Sequence, residues 1–161
     1  MYGSEGRVRR QRRILTRLKA HIGVDLHSGL THSLTGTAAN EADVNQTVHL
    51  LHGEEEQVYA DAGYIGADKR EELKDRDVTW RIAMKRGKLK AMDEGPLKEI
   101  ITRVEHLKAK LRSRVEHPFH VVKNRFGHGK VRYKGLKKNT GQLYVLFALA
   151  NLVIAKKALL A

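Results

Sequence analysis

Cysteine is absent from this 161-residue chain, proline occurs twice, aromatic residues make up 6%, and only 18 acidic side chains face 31 lysines and arginines. Without a thiol there is no disulfide framework, no cysteine nucleophile and no thiolate zinc site, and a reducing cytoplasm is a compatible compartment. Long apolar runs are lacking too. The longest, Leu143 to Ala155, contains Asn151 and is too short to span a bilayer. The N-terminus has no apolar signal-peptide core. The shortage of acid leaves a net charge of +13 and a pI near 10.1. Self-repulsion of that size is normally tolerated only against an anionic partner, and nucleic acid is the leading candidate.

What is present suits one globular domain, since 41% hydrophobic and 30% charged residues over this length allow a single real core. Residues 1–18 carry Arg7, Arg9, Arg10, Arg12, Arg13 and Arg17 against Glu5. They read as a basic arm, ordered on contact or disordered, that either grips phosphates or is an inert leader. From Lys19, loosely alternating residues, the turn formers Asp25 to Gly29 and the strand formers of Leu30 to Thr37 predict a β-hairpin. Asn40 is a candidate cap for a helix ending at Gly53, with Asp43 in its first turn. Val58 to Ala62 reads as a short buried strand stopping at Gly63, Asp68 as the cap of a helix through about Arg76, and Val78 to Met84 as another strand. Lys85 to Lys90 reads as a basic loop.

Pro96 suits the first turn of a long helix, whose positions Leu97, Ile100, Ile101, Val104, Leu107, Leu111 and Val115 keep the helical period. That period runs past Pro118 to Phe119, Val122 and Phe126, favouring one kinked helix over a new one starting at Pro118. After the basic segment Lys130 to Lys138, Asn139 or Thr140 starts a last helix, apolar nearly all round, which requires burial against the sheet or a partner. The sum is an α/β domain with one mixed sheet, a hairpin plus parallel strands, covered by helices.

On the long helix Arg112, Glu116 and Lys123, four and seven residues apart, share one narrow strip beside the apolar stripe. A lone carboxylate between two cations suits either a metal ligand or a surface ion pair. Asp61, at a strand end before Gly63, is either a turn cap or a ligand, because Mg²⁺ takes a few carboxylate oxygens and leaves positions for water and phosphate. His117 and His120 lack a third ligand at zinc spacing and read as a solvated or phosphate-contacting pair. Trp80 reads as core. The basic segments Lys85 to Lys90 and Lys130 to Lys138, with Lys130, Arg132 and Lys134, suit a DNA backbone.

Four segments in series carry a resemblance: Lys19-Ala20-His21-Ile22-Gly23-Val24-Asp25, Thr37-Ala38-Ala39-Asn40 with Asp43, Tyr59-Ala60-Asp61-Ala62-Gly63-Tyr64, and Arg112-Ser113-Arg114-Val115-Glu116-His117-Pro118-Phe119 with Lys123. Together they closely resemble the C-terminal half of bacterial insertion-sequence transposases of the DDE class, over about residues 19–157. The resemblance implies an RNase H-like fold entered at its second strand. It implies two aspartates and a glutamate holding two divalent ions, Mg²⁺ or Mn²⁺, for cleavage and strand transfer on DNA. Residue by residue, Asp61 matches the second catalytic aspartate and Glu116 the glutamate, both metal ligands, while Arg112 and Lys123 match basic members of the signature that hold DNA phosphates.

Two departures stand out. Ala109 occupies the position where the signature often has tyrosine, and residues 1–18 offer no strand or aspartate matching the family's first catalytic one. Asp25 and Asp43 are the less expected substitutes. The expectation is therefore a truncated RNase H-like transposase domain of impaired activity in the bacterial cytoplasm, nucleoid-associated when bound to DNA. Its expected partners are inverted-repeat and target DNA, and a second copy or a full-length transposase paired through the last helix. The alternative is a catalytically silent DNA-binding remnant that modulates a full-length transposase.

Overall fold

The computed structural model describes residues 18–160, so the expected basic arm, apart from Leu18, lies outside the described residues. The hairpin forms as predicted. β1 (Leu18–Val24) and β2 (Thr31–Ala38) pair antiparallel with Ile22 opposite Leu34. Asp25 closes the turn, its Oδ1 accepting from the Ser28 amide and hydroxyl, both at 2.6 Å. The hydrogen bonds from Ser28 hold its carboxyl below the usual aspartate range. Asp25 is thus a turn residue.

The next helix differs from expectation. Asn40 is exposed and caps nothing, and a 3-10 turn, Asp43–Gln46, runs into a single helical turn, α1 (Thr47–Leu50). The carboxylate of Asp43 is engaged by Lys19 Nζ at 3.0 Å instead of capping the turn. β3 (Gln57–Ala60) pairs in parallel with β4 (Thr79–Ile82) and is half-buried rather than buried. Between them the helix expected from Asp68 is two 3-10 turns, Ala67–Lys69 and Glu71–Leu73, each with one buried residue. One apolar anchor per turn does not sustain an α-helix. The Lys85 to Lys90 segment is a short helix, α2 (Arg86–Lys90), not a loop. Its first turn closes on the Lys85 carbonyl, which accepts from the Lys88 and Leu89 amides at 2.9 and 3.3 Å.

α3 (Pro96–His120) continues through Pro118, which is buried, and widens into a π-turn at Val121–Arg125 where Phe126 N–H donates to the Val121 carbonyl at 3.1 Å. A missing proline N–H next to a widened turn is a local device for re-aiming a helix. α4 (Leu136–Leu159) starts earlier than Asn139. The Asn139 amide instead donates to the Tyr133 and Gly135 carbonyls, both at 2.7 Å, and pins the basic segment to the helix.

The strands form two separate two-stranded sheets, so the single mixed sheet expected is split into an antiparallel and a parallel pair. The mixed α/β class with helical cover stands. The core lies between the hairpin and α4, with Leu34, Val121, Val122, Leu143, Phe147 and Ala150 at its centre. Asn151 sits inside the apolar run because its amide pairs with the Thr31 backbone, donating at 2.7 Å and accepting at 2.8 Å. Only one side of α4 is buried: Val145, Leu149 and Leu152 remain 45–68% exposed, against the expectation of burial all round. No described helix is long and apolar enough to cross a membrane.

Candidate functional site

A cavity of about 470 Å³ opens between β1, β3 and α3. Asp61 enters it from the residue after β3, and Glu116 from the last turns of α3. Two carboxylates 55 positions apart in the chain therefore share one cavity, and Arg112 lines it with them. Asp61 also takes the turn role considered for it, since its Oδ1 accepts from the Gly63 amide at 2.8 Å. That bond occupies one oxygen and fixes the side chain. Among the described residues neither Asp61 nor Glu116 is in an ion pair.

Arg112, Glu116 and Lys123 do not all line one cavity. Arg112 lines the main cavity, whereas Lys123 lines a second, shallower depression with Ser113, His117 and His120. Glu116 borders both. The π-turn Val121–Arg125, which contains Lys123, adds a residue to the helical repeat and alters the simple angular relation of Lys123 to Glu116. His117 and His120 are stacked and exposed, with ring centroids 6.4 Å apart, and His120 is bonded to Asn124. Trp80 also borders the main cavity and is half-buried rather than core. Lys130, Arg132 and Lys134 are exposed on the segment before α4.

Three residues not singled out for function, Lys19, His21 and Tyr64, complete the cavity's polar end together with Asp43. Buried His21 contacts the Tyr64 hydroxyl at 3.3 Å and Thr37 Oγ1 at 2.9 Å, with Asp43 Oδ1 at 4.0 Å. Burial, outweighing the pull of Asp43, lowers its pKa below the ordinary histidine value. A neutral ring results, able to accept from Tyr64 and donate to Thr37. Burial, and then Asp43 and Asp61, push the Tyr64 phenol well above its ordinary range, so it stays a donor. Lys19 Nζ bridges Asp43 and the Glu41 carbonyl, both at 3.0 Å. Gly63 lets the two carboxylates come close: a Cβ there would sit 2.7 Å from Asp43 Oδ2 and 3.0 Å from Asp61 Oδ1 and would push those side chains aside. The available signal was Lys19 and His21 at strand period two, polar residues aimed to one side of a strand.

Hard carboxylate oxygens free of protein cations suit Mg²⁺ or Mn²⁺ better than zinc. The fit is partial, because no group of three or more potential metal ligands occurs among the described residues. A mixed α/β domain with paired acids in one cavity and cations around it belongs to the class of proteins that act on polyanions. The chain belongs to the family described as the transposase DDE domain, whose model matches residues 4–152. The family's work is transposition, its partner is DNA, and divalent metal ions are its usual cofactors. No solved structure matches the chain.

Proposed function

We propose that this chain contributes to metal-dependent phosphodiester cleavage and strand transfer at insertion-sequence ends, with Asp61 and Glu116 as two of three metal-holding carboxylates. The observation that carries the reading is their convergence, free of ion pairs, on one cavity beside Arg112. Bound Mg²⁺ or Mn²⁺ would polarise the phosphate and lower the pKa of the attacking hydroxyl. Arg112 from the main cavity and Lys123 from the second depression would grip phosphates on either side of Glu116. Lys130, Arg132 and Lys134 extend the cationic surface along a DNA backbone, and activity of the chain alone is impaired until a third carboxylate is supplied. The setting is the bacterial cytoplasm at the nucleoid, with self-pairing or pairing to a full-length transposase through the exposed side of α4.

The test is a Mn²⁺ titration followed by electron paramagnetic resonance. Asp61→Asn and Glu116→Gln should each weaken binding about tenfold or more. Unchanged Mn²⁺ affinity in both variants sinks the reading. The second reading, a silent DNA-binding remnant, draws on the absence of a three-ligand metal group among the described residues, even though Asp43 and Glu55 also line the cavity. It predicts metal-independent DNA binding that these two substitutions leave intact. In either case replacing Lys130, Arg132 or Lys134 by alanine should reduce the salt slope of binding by about one each.

A further inference from the structure

β3 ends at Ala60, and Asp61 opens a three-residue 3-10 turn, Ala62–Tyr64. The turn is a closed bracket. The Asp61 carbonyl accepts from the Tyr64 amide at 3.2 Å, and Asp61 Oδ1 accepts from the Gly63 amide at 2.8 Å. A carboxylate at one end of the bracket and a phenol ring at the other therefore move as one piece. The ring end reaches the hairpin: Tyr64 Oη stands 3.3 Å from His21 Nδ1. Among the described residues this is the one hydrogen bond that joins the segment 57–83 to β1 or β2.

His21 is itself locked from behind. It is 5% exposed, and its Nε2 lies 2.9 Å from Oγ1 of Thr37, a buried neighbour on β2. A buried imidazole needs both nitrogens met; with Nε2–H donating to Thr37, the Nδ1 lone pair is left to accept from the Tyr64 hydroxyl. The need for a tether is electrostatic. Asp43 Oδ2 and Asp61 Oδ1 crowd the same Gly63, and their like charges push the Asp61 turn away from Asp43. Lys19 ties Asp43 to β1 at 3.0 Å, so that repulsion acts between the hairpin side and the turn. The Tyr64–His21 bond opposes it.

We propose that Tyr64 is a positioning residue for Asp61: its hydroxyl, held by His21 and through it by Thr37, keeps the Asp61 carboxylate in the cavity that it shares with Glu116. Groups one step behind a metal ligand act in this way, by fixing where the ligand's oxygens stand. The consequence for metal binding rests on the reading of Asp61 as a metal-holding carboxylate; the tether itself rests on the hydrogen bonds alone.

The test is Tyr64→Phe in the full chain, which keeps the ring and removes only the oxygen. Without metal, hydrogen exchange at the Gly63 and Tyr64 amides should quicken about tenfold and the Asp61 carboxyl carbon resonance should shift, while the β1–β2 amides and the melting temperature hold. Thr37→Val, which leaves the Tyr64 oxygen in place and frees the imidazole from behind, should quicken the same two amides to a lesser degree. With Mn²⁺ followed by electron paramagnetic resonance, Tyr64→Phe should weaken binding about tenfold, and should weaken it no further in a chain already carrying Asp61→Asn. Unchanged Gly63 exchange and Asp61 resonance in Tyr64→Phe would overturn the tether. Where Asp61→Asn weakens Mn²⁺ binding, the positioning role is overturned if Tyr64→Phe leaves the affinity as it was, or lowers it equally with and without Asp61→Asn. Should Asp61→Asn itself leave Mn²⁺ affinity unchanged, the catalytic reading fails and the metal-free readouts decide the tether by themselves.

Discussion

The hairpin half and the β3–β4 half of the molecule are built by different means. Around β1, β2 and α4, long apolar side chains interlock, and Phe147 packs edge-on against Phe119 with ring centroids 5.2 Å apart. Around β3 and β4, burial falls on Ala67, Leu73 and Ala83, and the tie to α3 is polar: Glu105 accepts from the Met84 amide at 2.9 Å and from Lys108 at 2.7 Å. Lys108 donates to the Ile82 carbonyl as well. The two candidate acids come one from each half, Asp61 from the end of β3 and Glu116 from the part of α3 that leads into buried Val121 and Val122. Site geometry is therefore only as firm as the seam between a packed half and a polar-tied one.

The largest test of this contrast is Phe147→Ala. Phe147 is 3% exposed and central, so its loss should cost about 3–5 kcal/mol and abolish cooperative unfolding in urea. Survival of a full-cooperativity transition would show that the core does not lie where it is drawn. Next comes Glu105→Ala, which leaves the Met84 amide and Lys108 without their acceptor at a cost of about 1–2 kcal/mol. Hydrogen exchange should quicken at Met84 and along β4 while the hairpin amides keep their protection. Equal loosening of both halves would break the comparison.

Acid should separate the halves more gently. His21 has a folded pKa below its unfolded value of 6.5, so the unfolded chain binds the extra proton, and stability is full above pH 6.5 and falls as pH drops below it. In Glu105 burial works upward, but the hydrogen bonds from Lys108 and Met84 prevail and hold the pKa below 4.5; its contribution is present above pH 4.5 and lost as pH falls through the folded value. Melting temperature between pH 7.5 and 5.5 should thus decline through His21, His32 and His128, all lowered by burial and none of them in the β3–β4 half, and His21→Asn should remove part of that decline.

Legibility in the sequence follows the same division. The hairpin, its Asp25 turn and the helix opening at Pro96 were readable because local chemistry and period agree there. That Asp61 and Glu116 share a cavity was expected only through the family resemblance, because composition and period do not state how β3 and α3 cross. The helix expected at Asp68 failed because capping residues without an apolar stripe do not hold a helix. The split sheet could not be read either, since strand formers state that a strand forms and not what pairs with it.

The smallest expected effect concerns the first half of α3, where sequence period and burial part company. Leu97, Ile100, Val104 and Leu107 keep the helical spacing of a core stripe, yet they are 44–66% exposed. If period alone decided their worth, Leu107→Gln would cost as much as truncating Leu143, which is 5% exposed, to alanine. The hydrophobic contribution follows area removed from water, and at 60% exposure little has been removed. Leu107→Gln should therefore shift stability by no more than about 0.5 kcal/mol, against about 2–5 kcal/mol for Leu143→Ala. A urea midpoint that moved as far for Leu107 as for Leu143 would mean that this stripe is covered in solution, and the β3–β4 half would then be packed after all.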